Sequence, residues 1–195
     1  MEEYLIYEEQ ASRAELIVRI FYSIGIEIVQ GLYGILAGVV YFIQWILILI
    51  LGERSEILTN VLIGYTEYCV QTIAYRSLVT DKRPGLLPKE LKVYLNLEEY
   101  LIFEKEASRV ELIVRIFYSI PISIVLYLYA ILYSICFDIQ WIAVLITGKR
   151  FKELDGVLKG FAKYWIQVIA YLMLVTDERP EITPKDLDVS LEIFE

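Results

Sequence analysis

Two stretches of this chain stay apolar for too long to belong to an ordinary soluble core. Ile116 to Thr147 carries one formal charge, Asp138, and Ile20 to Leu51 carries one, Glu27. About twenty such residues cross the hydrocarbon core of a bilayer, so the chain reads as a membrane protein. Composition agrees. Of its 195 residues 57% are hydrophobic and the mean hydropathy is +0.54, whereas a soluble domain is roughly 45–50% apolar. Sixteen Tyr and three Trp suit interfacial belts as well as helix packing.

The formal charge of −8 is segmental, crowding at the chain ends and the middle, and nothing is basic enough to point to nucleic acid. There is no His, which removes the commonest metal ligand and general base. Cys69 and Cys136 lie in apolar segments at non-equivalent positions and read as buried thiols rather than as a disulfide or metal pair. No paired carboxylates, Ser-based motif or cofactor ligands emerge, so the expectation is of no enzyme, no metal and no cofactor. Met1-Glu2-Glu3-Tyr4 has no basic leader, so insertion is expected to use the first membrane helix itself. The lack of His and scarcity of Asn carry a thermophile association.

The chain is a tandem duplication. Ala11-Ser12-Arg13 recurs as Ala107-Ser108-Arg109, Ile20-Phe21-Tyr22-Ser23 as Ile116-Phe117-Tyr118-Ser119, Gln44-Trp45-Ile46 as Gln140-Trp141-Ile142, and Val79-Thr80-Asp81 as Val175-Thr176-Asp177. Every pair is offset by 96 residues without a gap. The two units are 1–95 and 97–195.

These residues resemble an uncharacterised prokaryotic membrane-domain family, the domain-of-unknown-function family numbered 4389. The match rests on Arg115, Ile120-Pro121, Trp141, Thr147-Gly148-Lys149 and Thr176-Asp177-Glu178-Arg179-Pro180. The first copy departs from that pattern at Gly25 and Leu51. The resemblance implies a membrane fold and lends no activity.

Each unit is read as strand, interfacial amphipathic helix, membrane hairpin and strand. Ser12-Arg13-Ala14-Glu15 and Ser108-Arg109-Val110-Glu111 form capping boxes, and Glu15–Arg19 and Glu111–Arg115 are favourable i,i+4 pairs. Gly25 and Pro121 break the helix. This gives amphipathic helices 12–24 and 108–120 and first spans 26–51 and 122–147; the alternative is one long kinked helix. Gly52 and Gly148 stop the helix. Second spans run 57–80 and 153–176, with a surface-lying helix as the alternative. Alternation predicts strands at 91–95 and 187–194, joined by the opening strand of each unit in a small sheet outside the membrane. The fold class is therefore mainly α and multi-pass.

An even number of spans per unit predicts copies inserted in the same orientation about an axis along the membrane normal. Lys and Arg concentrate on the terminal and linker side, against Arg54, Lys149, Arg150 and Lys152 in the hairpin loops, which places the termini in the cytoplasm of a multi-pass protein of the cell membrane.

Ionisable groups at membrane depth are the candidate site residues. Asp138 and Lys163 fall at similar depth, replaced by Phe42 and Glu67 in the first copy. Glu27 and Arg76 are both lost in the second copy, as Ser123 and Leu172, which is the pattern of an ion pair. If Glu67 and Lys163 face a central axis, Glu67, Lys163 and Asp138 form a cluster that either locks the copies together or relays protons or cations. Gln44 and Gln140 are read as hydrogen-bonding between helices. Gly31, Gly34 and Gly38 mark a close-packing face, and Asp81 and Asp177 close a helix end. The functional expectation is a structural or accessory membrane subunit, with lipids and protein subunits or further copies of itself as partners. The alternative is a small channel or transporter using the charge cluster.

Overall fold

The structure is a computed structural model describing residues 9–86 and 105–184. Four helices fill it: α1 (Arg13–Leu51), α2 (Glu56–Arg76), α3 (Arg109–Thr147) and α4 (Lys152–Leu172). The expected strands at 91–95 and 187–194, and the opening segments of each unit, lie outside the described residues. Within them only two isolated antiparallel bridges occur, Gln10 with Lys149 and Glu53 with Glu106.

Helix starts follow the capping residues. Ser12 and Ser108 accept from the Glu15 and Glu111 amides at 3.2 Å. The reciprocal half of the capping box is absent, because the Glu15 carboxylate is taken by Arg83 and the Tyr75 hydroxyl. The Ser12 amide donates instead to Asp81 Oδ2 at 3.1 Å. Gly52 and Gly148, with φ of 77° and 74°, end α1 and α3 in the left-handed conformation, where a side chain is strained.

The expected breaks at Gly25 and Pro121 do not occur. Each long helix is continuous over 39 residues, with Pro121 inside α3, about 58 Å at 1.5 Å per residue. A mid-helix proline costs about 3 kcal/mol. Contacts on both sides hold the axis through it. Arg115 and Tyr118 bond the Thr176–Pro180 segment, and Ile122 and Tyr129 are buried in the core shared with α4. In the first copy Tyr22 bonds Pro84 and Ile26 is fully buried.

Each hairpin packs α1 on α2 or α3 on α4. The two hairpins meet α1 to α3 and α2 to α4, giving two layers. The copies run antiparallel. Arg13 donates to the Ile146 carbonyl and Arg109 to the Ile50 carbonyl, both at 2.6 Å. Leu16 packs with Val144 at one end and Ile48 with Leu112 at the other. The pseudo-two-fold axis is thus perpendicular to the long helices, and the expected same-orientation arrangement is overturned. The reason lies in the hairpin loops, which dock on the other copy's helix start rather than on neighbouring loops: Ala11 N–H donates to Gly148 O, and Ala107 N–H to Gly52 O.

Residues that face α2, such as Ile26, Ala37, Val40 and Gln44, are buried, while Phe21, Ile28, Leu32, Ile35 and Phe42 on the opposite side of α1 are exposed. Among the described residues, 28 of the 32 exposed large apolar side chains lie on α1 and α3. Both long helices are apolar and long enough to cross a membrane, and little of their most apolar windows is buried, 22% and 17%.

Candidate functional site

The dense polar chemistry sits at the two ends of the molecule, and each end is built from both copies. At one end Asp81 Oδ1 accepts from Arg19 Nη2 at 2.8 Å and from Arg150 of the other copy's hairpin loop. At the other, Asp177 Oδ1 faces Arg115 at 2.9 Å and Arg54. All four arginines are at least 95% buried. A buried guanidinium is costly unless charge-paired and hydrogen-bonded, and backbone carbonyls supply further acceptors. Arg150 Nε donates to Leu78 O at 2.8 Å, and Arg54 Nε to Leu174 O at 3.1 Å. Arg19 and Arg115 donate to the Thr80 and Thr176 carbonyls and lie over the Tyr75 and Tyr171 rings at 4.5 and 4.4 Å, a favourable cation–π placement. Arg19 Nε and Nη1 and Arg115 Nε are buried without a hydrogen-bond acceptor.

Leu78 and Leu174 make this possible by adopting φ of 61° and 62°. The left-handed conformation costs a non-glycine residue about 1–2 kcal/mol. Here it turns the carbonyl to the incoming arginine while burying the leucine, at 2% and 1% exposure.

A second layer closes each end. Glu15 takes a bidentate bond from Arg83, and Glu111 one from Arg179. Hydrogen bonding to those carboxylates pushes both arginine pKa values up. The expected i,i+4 pairing of Glu15 with Arg19 gives way to this, because Arg19 is drawn to Asp81. At the rim, Lys149 bonds Glu9 at 2.7 Å and Lys105 faces Glu53 at 3.3 Å. The Lys149 hydrogen bond holds the Glu9 carboxyl below its ordinary value.

The residues singled out in the apolar helices are arranged otherwise. Glu27 and Arg76 stand 2.9 Å apart, both about half exposed. Asp138 and Lys163 are both exposed. The register that sets Glu27 against Arg76 and Gln44 against Thr59 places Asp138 opposite Val157, six residues or about 9 Å from Lys163. Glu67 is half-buried near Tyr33 of its own hairpin. Gln44 bonds across its hairpin, donating to Thr59 Oγ1 at 2.9 Å and accepting from the Ser55 amide at 3.2 Å. Gln140 likewise accepts from the Phe151 amide at 3.1 Å. In the second copy Asp155 replaces Thr59 and pairs with Lys159, which leaves Gln140 Nε2 without an acceptor. Of the three helix-face glycines only Gly34 meets a neighbour, Tyr65, whereas Gly31 and Gly38 face open space. Cys69 and Cys136 are free and buried.

A cavity of about 180 Å³ lies between Tyr41, Trp45, Leu112 and Arg115. Among the described residues no three His, Cys, Asp or Glu side chains gather to hold a metal ion. Chemically, each end arrangement sets an aspartate between two guanidinium groups and fixes one copy's loop to the other's helix start.

From sequence, Asp81 and Asp177 are assigned to a helix end and Arg54 and Arg150 to the hairpin loops, with no link between them. The available signal was identity at offset 96. Glu15, Arg19, Arg54, Tyr75, Asp81 and Arg83 all recur as Glu111, Arg115, Arg150, Tyr171, Asp177 and Arg179.

No curated protein and no solved structure matches the chain. One family model does, twice, over residues 13–86 and 109–182, so that both copies fall within it. The chain therefore belongs to the family described as domain of unknown function DUF4389, and carries that domain as a tandem pair.

Proposed function

We propose that the chain is a structural membrane protein, an accessory subunit that α1 and α3 seat in the bilayer and that packs within a larger assembly or with further copies of itself. One observation carries the reading. The strongest charged side chains the copies share are consumed in locking the two ends, while the large remaining surface of α1 and α3 is apolar and uncovered. Contiguous apolar surface of that extent is a contact surface for lipid or protein. A proton or cation relay needs ionisable groups along one interior path, and the exposure of Asp138 and Lys163 weighs against it.

The test is purification of the full chain in mild detergent followed by native mass measurement. Partner subunits or a fixed number of copies at constant ratio are the expected result. A lone monomer that conducts protons or cations after reconstitution would replace this reading with the transporter one.

A further inference from the structure

We infer that α1 and α3 lie along the plane of the membrane, with their outward apolar faces in the acyl region of one leaflet, rather than crossing it. The inference rests on the membrane-seated reading above and adds its geometry.

Four observations converge. First, the apolar surface is one-sided. Most exposed side chains of α1 and α3 point away from α2 and α4, and among the described residues only Ile57, Leu86, Phe151 and Ile182 are large, apolar and exposed outside α1 and α3. A bundle crossing a bilayer presents apolar surface to lipid on every side, whereas an in-plane element needs it on one. Second, α1 and α3 are each about 58 Å long, nearly twice the roughly 30 Å hydrocarbon core. Third, both ends carry the same clusters of buried arginine and aspartate with exposed Lys and Glu at the rim, so neither end differs from the other as two sides of a membrane would require.

Fourth, the connection between the copies weighs against crossing. Leu86 lies beside Gly25 and is bonded by Tyr68. Lys105 lies at the far end of α1, where its carbonyl accepts from the Arg54 amide. From the level of Gly25 to that of Glu53 is about 42 Å of helix. Were α1 and α3 antiparallel spans, the 18 residues between these two points, 87–104, would have to join opposite sides of the hydrocarbon core. They include Lys89, Glu90, Lys92, Glu98, Glu99 and Glu104. Six charges in 18 residues do not suit a passage through hydrocarbon.

The test uses the full chain reconstituted in sealed vesicles of phosphatidylcholine and phosphatidylglycerol. In the double variant Glu56→Cys/Lys152→Cys the new thiols sit on exposed first turns at opposite ends of the molecule, and the native thiols are buried. A membrane-impermeant maleimide is added and labels per chain are counted by intact mass. In-plane helices give chains with two labels or none, whatever the orientation mixture. One label per chain means the ends lie on opposite sides and overturns the inference, leaving the accessory-subunit reading standing. A chain that forms a lipid-free dimer and never associates with vesicles overturns both. Polarised infrared dichroism of the unsubstituted chain in aligned bilayers provides a variant-free check, with amide I transition moments in the membrane plane as the expected result and along the normal as the contrary one.

Discussion

The ends and the middle of this molecule differ in what duplication did to them. At the ends nearly every bond appears twice. Asp81 and Asp177 each gather two arginines, and Tyr75 and Tyr171 bond Glu15 and Glu111 at 2.6 and 2.7 Å. In the middle the copies diverge. Glu27–Arg76 exists only in the first copy, Asp155–Lys159 only in the second, and Gly31 stands where the other copy has Tyr127. The ends are where the charged contacts between the copies concentrate, so a change there must suit both. The outer middle faces no part of the chain and drifts freely.

The comparison predicts its own largest effect. Asp177→Asn keeps the shape but leaves Arg54 and Arg115 buried around a neutral group. Removing one partner from a buried ion cluster costs about 3–5 kcal/mol. Chemical unfolding in detergent should show that loss, and Asp81→Asn should match it to within about 1 kcal/mol, since both clusters share one geometry. A small effect at either aspartate would break the equivalence of the ends. Because each cluster joins both copies, the two hairpins should come apart together.

Next in size is the outer face. Asp138 is exposed among Ile135, Ile139 and Ile142, where the first copy has Phe42. Asp138→Phe removes a charge that costs about 2.5–3.5 kcal/mol at the centre of a bilayer and less toward its surface. Tighter vesicle partition, roughly tenfold for each 1.4 kcal/mol gained, is the expected outcome in a flotation assay. Unchanged partition would mean that this part of α3 meets water.

Smaller still is the orphaned amide. Asp155→Thr combined with Lys159→Ile restores the first copy's residues, Thr59 and Ile63, and gives Gln140 Nε2 an acceptor. One recovered hydrogen bond is worth about 1 kcal/mol, read as a rise in melting temperature. Arg76→Leu with Glu27→Ser goes the other way, giving the first copy the residues of the second. An exposed pair contributes at most about 1 kcal/mol, so near-neutral stability is expected there.

What sequence could reveal follows the same division. The four helices, their caps at Ser12 and Ser108 and their stops at Gly52 and Gly148 are local signals, and they were legible. Continuity through Pro121 was not, because it depends on Arg115 and Tyr118 gripping a segment sixty residues away. The antiparallel order was hidden for a related reason. Counting spans presumes that each hairpin loop points to water, whereas Arg54 and Arg150 point into the other copy. Attention to charges that differed between copies led to Asp138 and Lys163, which stay apart. The charges that stayed the same formed the contacts between copies.

The smallest prediction concerns a difference that lies at the ends themselves. Glu9 and Lys105 are equivalent positions, as are Glu53 and Lys149, yet the pairs are charge-reversed: Glu9 with Lys149 at one end and Lys105 with Glu53 at the other. Within one chain the reversal is neutral. Between chains it is not. If the first copies of two molecules paired in the same antiparallel way, Glu9 would meet Glu53, and two second copies would bring Lys105 against Lys149. Like charges therefore disfavour pairing of like copies from two molecules, while the pairing of a first with a second copy keeps opposite charges together. Lys149→Glu sets Glu9 against a like charge. It should alter fold stability too little to measure, since these groups are exposed, but it should raise the fraction of dimers joined through like copies on refolding at high concentration. Reversing all four charges, with Glu9→Lys, Glu53→Lys and Lys105→Glu added, should return that fraction to its starting value. Acid should act like the single change. The carboxyl of Glu9 is held below its ordinary 4.5 by Lys149, so the pairing is fully present above that value and is lost as pH falls through the depressed one. A dimer fraction indifferent to both variants and to pH would leave the reversed charges as another instance of the drift seen in the middle.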